Sequence, residues 1–291
     1  MIKPKFHPIS FSWVAFHQKP RGIIQFIGGA FFGTFPTIFY HHFLQEIYQA
    51  GYSIIALPFR FSLRHWNVAN SLLDEQNRLQ CSLPKIVENM GYDPEIYRKS
   101  ANYHWIGHSL GCKYIALLEL MTNINDVRNS SYSKIPFNLD YDGIFNQSSI
   151  LIAPDISDLD SAIPLGPLVT LLNKLNVTVQ PDRKTTLNLI RDSRLFQLTG
   201  MISFDKDDIA GSIKDQNPDV SDVLWLYNYL QKKSHKVTEL PGKHLEPLGW
   251  KIGSYIVDFN IFDKFIKPLK QWKLSGTVDS FLQEFKQKLK K

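Results

Sequence analysis

Ser109 stands at the centre of the pentapeptide Gly107-His108-Ser109-Leu110-Gly111, between an apolar, aromatic run from Tyr103 to Ile106 and a helical run from Leu110 to Met121. A strand, a sharp turn and a helix in that order put a serine at the apex, its hydroxyl clear of both elements and open to a base. The turn pushes the serine backbone toward positive φ and brings strand and helix together, so small residues must flank it; the glycines at 107 and 111 meet that need. The first turn of the helix leaves N–H groups free to face an anion. This is the arrangement of a nucleophile. Ordinary Gly/Ser turns carry the same pentapeptide, so the partners decide: an acid and then a histidine, each in a loop after a later strand.

Both follow in that order. Gly200 to Phe204 reads as a short buried strand that empties into Asp205-Lys206-Asp207-Asp208, and one of these carboxylates is the candidate acid. The plainer alternative is a solvated charge cluster capping the next helix. A helical stretch from Val220 to Lys232 comes next, then a strand-like run from Lys236 to Leu240 that ends in Pro241-Gly242-Lys243-His244. Among the nine histidines, His244 is the one just past a strand, in a Gly-containing loop, downstream of both other partners. His41 and His42 fall in a helical pattern, His104 in a strand and His235 at a strand start. In such a constellation His244 would take the Ser109 proton, and the carboxylate would fix the imidazole tautomer and stabilise the imidazolium.

Negative charge on an attacked carbonyl needs donors. The strand pattern Gly22 to Ile27 runs into Gly28-Gly29-Ala30-Phe31-Phe32-Gly33, where paired glycines let the backbone approach a substrate closely. The loop lacks Gly-x-Gly-x-x-Gly spacing and any Gly-Lys-Ser/Thr, which argues against a phosphate cradle.

Taken together, the elbow at Ser109, the Phe26 to Phe31 loop, the Phe204 to Ile209 acidic turn and Pro241-Gly242-Lys243-His244-Leu245 resemble the α/β-hydrolase superfamily. More narrowly, the combination resembles a family of cyanobacterial and plant chloroplast proteins within it that carries no settled activity. The resemblance runs from about Phe11 to Phe262. It implies an α/β fold with a mostly parallel central sheet, helices on both faces and an inserted lid. It also implies a triad of Ser109, Asp207 and His244, with Asp208 as the alternative acid, and an oxyanion hole from the N–H groups of Leu110 and Ala30, with Phe31 as the alternative loop donor. One departure is visible: the acidic turn holds three aspartates where the common superfamily pattern isolates one.

Length and composition fit a single domain spanning 1–291, since 291 residues at 44% hydrophobic can bury a full core. Cys81 and Cys112 are too few for a disulfide framework and point to a reducing compartment. No Cys-x-x-Cys or His-Glu-x-x-His appears, so neither metal nor cofactor is expected. Met1 to Lys19 lacks the apolar core of a signal peptide, which makes a soluble cytoplasmic protein the expectation. Phe11 to Phe16 reads as an early strand paired antiparallel, through the turn His17 to Arg21, with the strand at Gly22. Strands at Tyr52 to Leu57, Tyr103 to Ile106 and Ser149 to Ala153, with a helix within Trp66 to Met90, then predict parallel β–α units.

Two stretches interrupt this alternation. Thr122 to Gln147 is a polar excursion, and 155–192 carries an apolar segment from Ile163 to Leu172 at the place where a lid would be inserted. It reads either as a cap over an acyl pocket or as a packed helix pair of ordinary core. Phe31, Phe32 and His108 are the candidate substrate contacts, while Phe35, Phe39 and Tyr40 are expected to face the core. From Lys264 onward eight lysines alternate with apolar residues, a basic amphipathic segment over 264–291. A last helix with lysines in solvent explains it, and docking to anionic lipid is the other reading. No nucleic-acid reading module is present. The activity expected is cleavage of a small-molecule ester or thioester with an apolar acyl group through an acyl-serine. The alternatives are an acyltransferase with the same triad and a non-catalytic relative that binds a lipid, pigment or protein partner. Oligomeric state stays open.

Overall fold

The computed structural model describes residues 3–122, 143–156, 179–193, 195–232, 235–257 and 266–288. Eight strands form its main sheet: β1 (His7–Ile9), β2 (Ser12–Ala15), β3 (Ile23–Ile27), β4 (Ser53–Ala56), β5 (Tyr103–His108), β6 (Ser148–Ile152), β7 (Thr199–Phe204) and β8 (Val237–Leu240). Their order is β1-β2-β4-β3-β5-β6-β7-β8, antiparallel over the first two pairings and parallel from β4 to β8. Strands β3 to β7 are buried along their whole length, as continuous apolar runs in a parallel sheet covered on both faces should be.

The covering helices divide between two apolar clusters. Helices α3 (His65–Asn89), α4 (Leu110–Met121), α5 (Arg183–Asp192) and α6 (Asp222–Gln231) pack on one face. After the short α1 (Pro36–Phe39), helices α2 (His41–Gln49) and α7 (Leu274–Lys288) pack on the other. The sequence caps two of them directly: Asp182 accepts the Thr185 N–H at 2.6 Å ahead of α5, and Ser221 the Leu224 N–H at 3.2 Å ahead of α6. Helix α7 lies against β7 at a glycine, since a Cβ on Gly200 would sit 2.7 Å from the Phe281 ring. A second sheet, β9 (Trp250–Ile252), β10 (Tyr255–Val257) and β11 (Ile266–Pro268), is antiparallel throughout.

Two expectations change. The expected pairing of the early strand with the Gly22 strand is not made. Both edges of β3 are taken by β4 and β5, so β2 adds to the free edge of β4 and forms its hairpin with β1 instead. Glu75 on α3 clamps that hairpin turn, accepting from Ser10 Oγ, the Phe11 N–H and Ser12 Oγ at 2.7 to 2.9 Å. Phe35 does not face the core: the chain between Phe31 and Tyr40 breaks into short turns, leaving Phe35 57% exposed, Phe39 half-buried and Tyr40 fully buried. The C-terminal helix sinks Leu274, Val278, Phe281, Leu282 and Phe285 into the molecule, the packing expected of a last helix with its lysines in solvent.

The expected insertion divides. Its last part, α5, buries Thr186, Leu187, Leu189 and Ile190 and belongs to the layer flanking the sheet. The apolar run from Ile163 to Leu172 and most of the polar excursion at 122–147 lie outside the described residues.

Candidate active site

Strand β5 delivers Ser109 to the carboxyl edge of the sheet, where α4 begins at the next residue. Ser109 has φ +54° and ψ −124°, the strained apex a strand-to-helix reversal requires. The flanking glycines make this reversal fit. A Cβ on Gly111 would collide with the Ile27 carbonyl oxygen, and one on Gly107 would lie 2.9 Å from the Cys112 nitrogen. The elbow is tied to the next strand as well, by the Ser109 N–H donating to the Ile152 carbonyl at 3.0 Å.

The loops after β7 and β8 supply two side chains to this apex. His244 Nε2 lies 2.9 Å from Ser109 Oγ, and its Nδ1 lies 2.9 and 3.0 Å from the two Asp207 oxygens. A carboxylate only accepts, so Nδ1 carries the imidazole proton and Nε2 is left to accept from the serine hydroxyl. Asp207 is in turn fixed by the Ile209 and Ala210 N–H groups, which donate to its Oδ1 at 3.0 and 2.9 Å. Of the other aspartates in the turn, Asp208 is exposed, and Asp205 accepts the Gly242 N–H at 3.0 Å. Burial alone presses the His244 pKa down. The charge and hydrogen bond of Asp207 outweigh that, with Asp155 and Asp208 adding to them, and leave it above its ordinary 6.5.

The glycine-rich loop after β3 runs beside the elbow, and a Cβ on Gly29 would stand 3.0 Å from the Ser109 Cβ. Phe31 takes φ +58°. Among the described residues the N–H groups of Ala30 and Phe31 find no acceptor, and Leu110, first residue of α4, has none within its helix. Phe31 is 40% exposed and stacks on Phe61 at 5.2 Å; Phe32, half-buried, packs edge-on to Phe39. Phe61 also lines a groove of about 1080 Å³, with Thr34 from the same loop and with Phe11, Phe59, Val68 and Leu72.

His108 differs from its expected part. It is fully buried, with Nε2 2.8 Å from the His244 carbonyl and Nδ1 2.9 Å from the Tyr40 hydroxyl, so no edge of the ring is left for a substrate. Burial foremost, with the nearby His244, lowers its pKa to about 3. Two further residues at the site carry no sequence signal. Tyr40 reads as one of several aromatics in a stripe, and Asp155 as the start of an insertion. Yet the Tyr40 hydroxyl accepts the Gly29 N–H at 2.7 Å, and the Asp155 N–H reaches the Ser109 carbonyl at 3.4 Å. Among the described residues no three His, Cys, Asp or Glu side chains gather as metal ligands would, and no helix is long and apolar enough to cross a membrane.

Comparison with solved structures agrees with this architecture. Esterase B from Lactobacillus rhamnosis superposes with a TM-score of 0.57 at 11% identity, covering 95% of this chain and 81% of its own. A structural study of two fungal esterases from Rhizomucor miehei gives a match with a TM-score of 0.57 at 10% identity, covering 98% and 84%. An esterase from Thermogutta terrifontis with butyrate bound gives 0.50 at 16% identity, covering 94% and 88%. At such identities the likeness is one of fold, and the fold is that of the α/β-hydrolases. No curated protein matches the sequence. A family profile does, over residues 5–282, and the chain therefore belongs to the family described as protein of unknown function (DUF1350).

Proposed function

We propose that this protein is a serine hydrolase that cleaves an ester or thioester bearing an apolar acyl group. The observation that carries the reading is the unbroken chain of hydrogen bonds from Ser109 Oγ through His244 to Asp207, each link 2.9 to 3.0 Å and buried. In this mechanism the serine oxygen attacks the substrate carbonyl as its proton passes to His244 Nε2. The oxyanion is held by the N–H groups of Leu110 and Ala30, a type of contact typically worth on the order of 10² to 10³ in turnover. His244 then protonates the departing alcohol or thiol, leaving an acyl-serine. Water resolves it, with the same imidazole acting as base, and the free acid leaves.

The groove beside the oxyanion loop supports the acyl part of the reading, because Phe11, Phe59, Phe61, Val68 and Leu72 line it and Phe61 stacks on Phe31 of that loop. The structural neighbours that are esterases support the ester part. Labelling with a fluorophosphonate probe tests the whole. Wild type is expected to label, while Ser109→Ala and His244→Ala are not. Equal labelling of wild type and Ser109→Ala removes the serine from the mechanism.

A further inference from the structure

Four groups form a second hydrogen-bonded chain beneath the nucleophile. The Gly29 N–H donates to Tyr40 Oη at 2.7 Å, and Tyr40 Oη lies 2.9 Å from His108 Nδ1. His108 Nε2 lies 2.8 Å from the backbone carbonyl of His244. That carbonyl only accepts, so the His108 proton sits on Nε2, and in the neutral ring Nδ1 accepts from the tyrosine hydroxyl. Every polar group in the chain has a partner, and both side chains are completely buried.

The ends of this chain are what give it meaning. Gly29 adjoins Ala30 in the loop after β3, and His244 belongs to the loop after β8. Strands β5, β6 and β7 lie between those two strands, so at about 4.8 Å per strand the loops are rooted roughly 19 Å apart and no ladder bond couples them. We propose that Tyr40 and His108 are positioning residues that lock the oxyanion loop to the His244 loop, holding donor and base in register across Ser109. The inference rests on the serine-hydrolase reading above. His108 owes its place to the elbow, being the residue before the nucleophile. Gly29 owes its lack of a side chain to the same crowding, since a Cβ there would lie 3.0 Å from the Ser109 Cβ and 3.4 Å from Tyr40 Oη. The chain keeps its protons through the neutral range: burial lowers His108 to about 3 and raises Tyr40 far above the usual phenol.

Hydrolysis of p-nitrophenyl esters and fluorophosphonate inactivation rates test this in Tyr40→Phe, His108→Ala and His108→Gln, each checked for folding by thermal melting. Tyr40→Phe and His108→Ala should lower kcat and the inactivation rate about 10- to 100-fold with KM within about threefold, the pattern of a lost transition-state interaction. His108→Gln should recover most of that loss, because its amide N–H reaches the same carbonyl. Imidazole NMR of the wild type adds a readout independent of any variant's folding: His108 must be neutral with its proton on Nε2. Unchanged kcat in both truncating variants, a loss confined to KM, or a proton on Nδ1 overturns the proposal. A labelled wild type with unaffected variants sinks the positioning role alone. A wild type that no fluorophosphonate labels sinks the serine-hydrolase reading, and the positioning role with it.

Discussion

Asp207 holds the imidazole of His244 with both carboxylate oxygens while its Oδ1 also accepts two backbone N–H groups of the following turn. The carboxylate is thus fixed before it fixes the histidine. In Asp207→Asn the side-chain amide presents a donor to Nδ1, which favours the tautomer that cannot accept from Ser109. The expected loss in kcat is roughly 10³- to 10⁴-fold, the scale found when a triad acid is made an amide. The pH profile should move too. With the raising charge gone, burial dominates, so the midpoint of the rising limb falls from above 6.5 in the wild type to below it. Asp208→Asn removes only a distant, exposed charge and should lower that midpoint slightly with kcat within about twofold. pH–rate profiles of the three proteins check both statements, and a larger loss in Asp208→Asn than in Asp207→Asn would reverse the assignment.

The elbow's closeness predicts a second result. Gly111 faces the backbone of Ile27 and Gly28, which cannot swing aside as a side chain could. Gly111→Ala should destabilise the fold by about 1–3 kcal/mol, the usual cost of overpacking. Gly276, in the first turn of α7, has nothing within 4 Å of the place an added methyl group would take, and Gly276→Ala should instead stabilise by roughly 0.5–1 kcal/mol. Denaturant midpoints measured side by side decide it; equal behaviour of the two variants would mean that the strand and helix can part at the elbow.

The elbow also shows where sequence reading succeeds. Gly107, Ser109 and Gly111 announce a strand-turn-helix because local sterics alone dictate it, and the apolar runs of β3 and β5 to β7 announce a buried parallel sheet. The resemblance narrows the carboxylate partner to Asp207 or Asp208, and what separates them is which one turns inward, a matter of tertiary packing. The β1–β2 hairpin escapes a sequence reading because strand neighbours follow from which edges remain free, a property of the whole sheet. Tyr40 stays hidden for a related reason. A hydroxyl that links two loops is indistinguishable in sequence from any other aromatic in an apolar stripe.

Buried histidines set the acid limit. His104 sits in β5 with Nδ1 2.8 Å from Ser148 Oγ, and burial lowers its pKa to about 4. The unfolded chain titrates near 6.5, so it binds protons that the folded chain refuses. The stability His104 allows is fully present above that value and is lost as pH falls from about 6.5 toward 4. His108 and His42 act in the same sense, with values of about 3 and 4, and so does His65, which burial holds well below its ordinary value. His244 opposes them: its raised value adds stability below the unfolded pKa, and that addition is lost as pH rises through the folded value. Four groups against one give a net loss of stability in acid. Urea midpoints across pH 4 to 7 are expected to fall toward acid, and His104→Gln to flatten that fall. A profile unchanged by the substitution would place the acid sensitivity elsewhere.

Substrate length offers the last test. An acyl chain passing the Phe31–Phe61 stack would enter the groove between Phe59, Val68 and Leu72, where each methylene removed from water contributes up to about 0.8 kcal/mol, roughly fourfold in kcat/KM. Open on one side, the groove should return about half of that free energy, so a series of esters from acetate to octanoate is expected to gain about twofold per carbon. Ser71 lines the groove from the exposed face of α3 and packs nothing in the core. Ser71→Trp should therefore leave stability and acetate-ester hydrolysis unchanged while abolishing the gain for longer chains. If Ser71→Trp keeps the full chain-length dependence, the acyl group lies elsewhere and this groove is not its binding site.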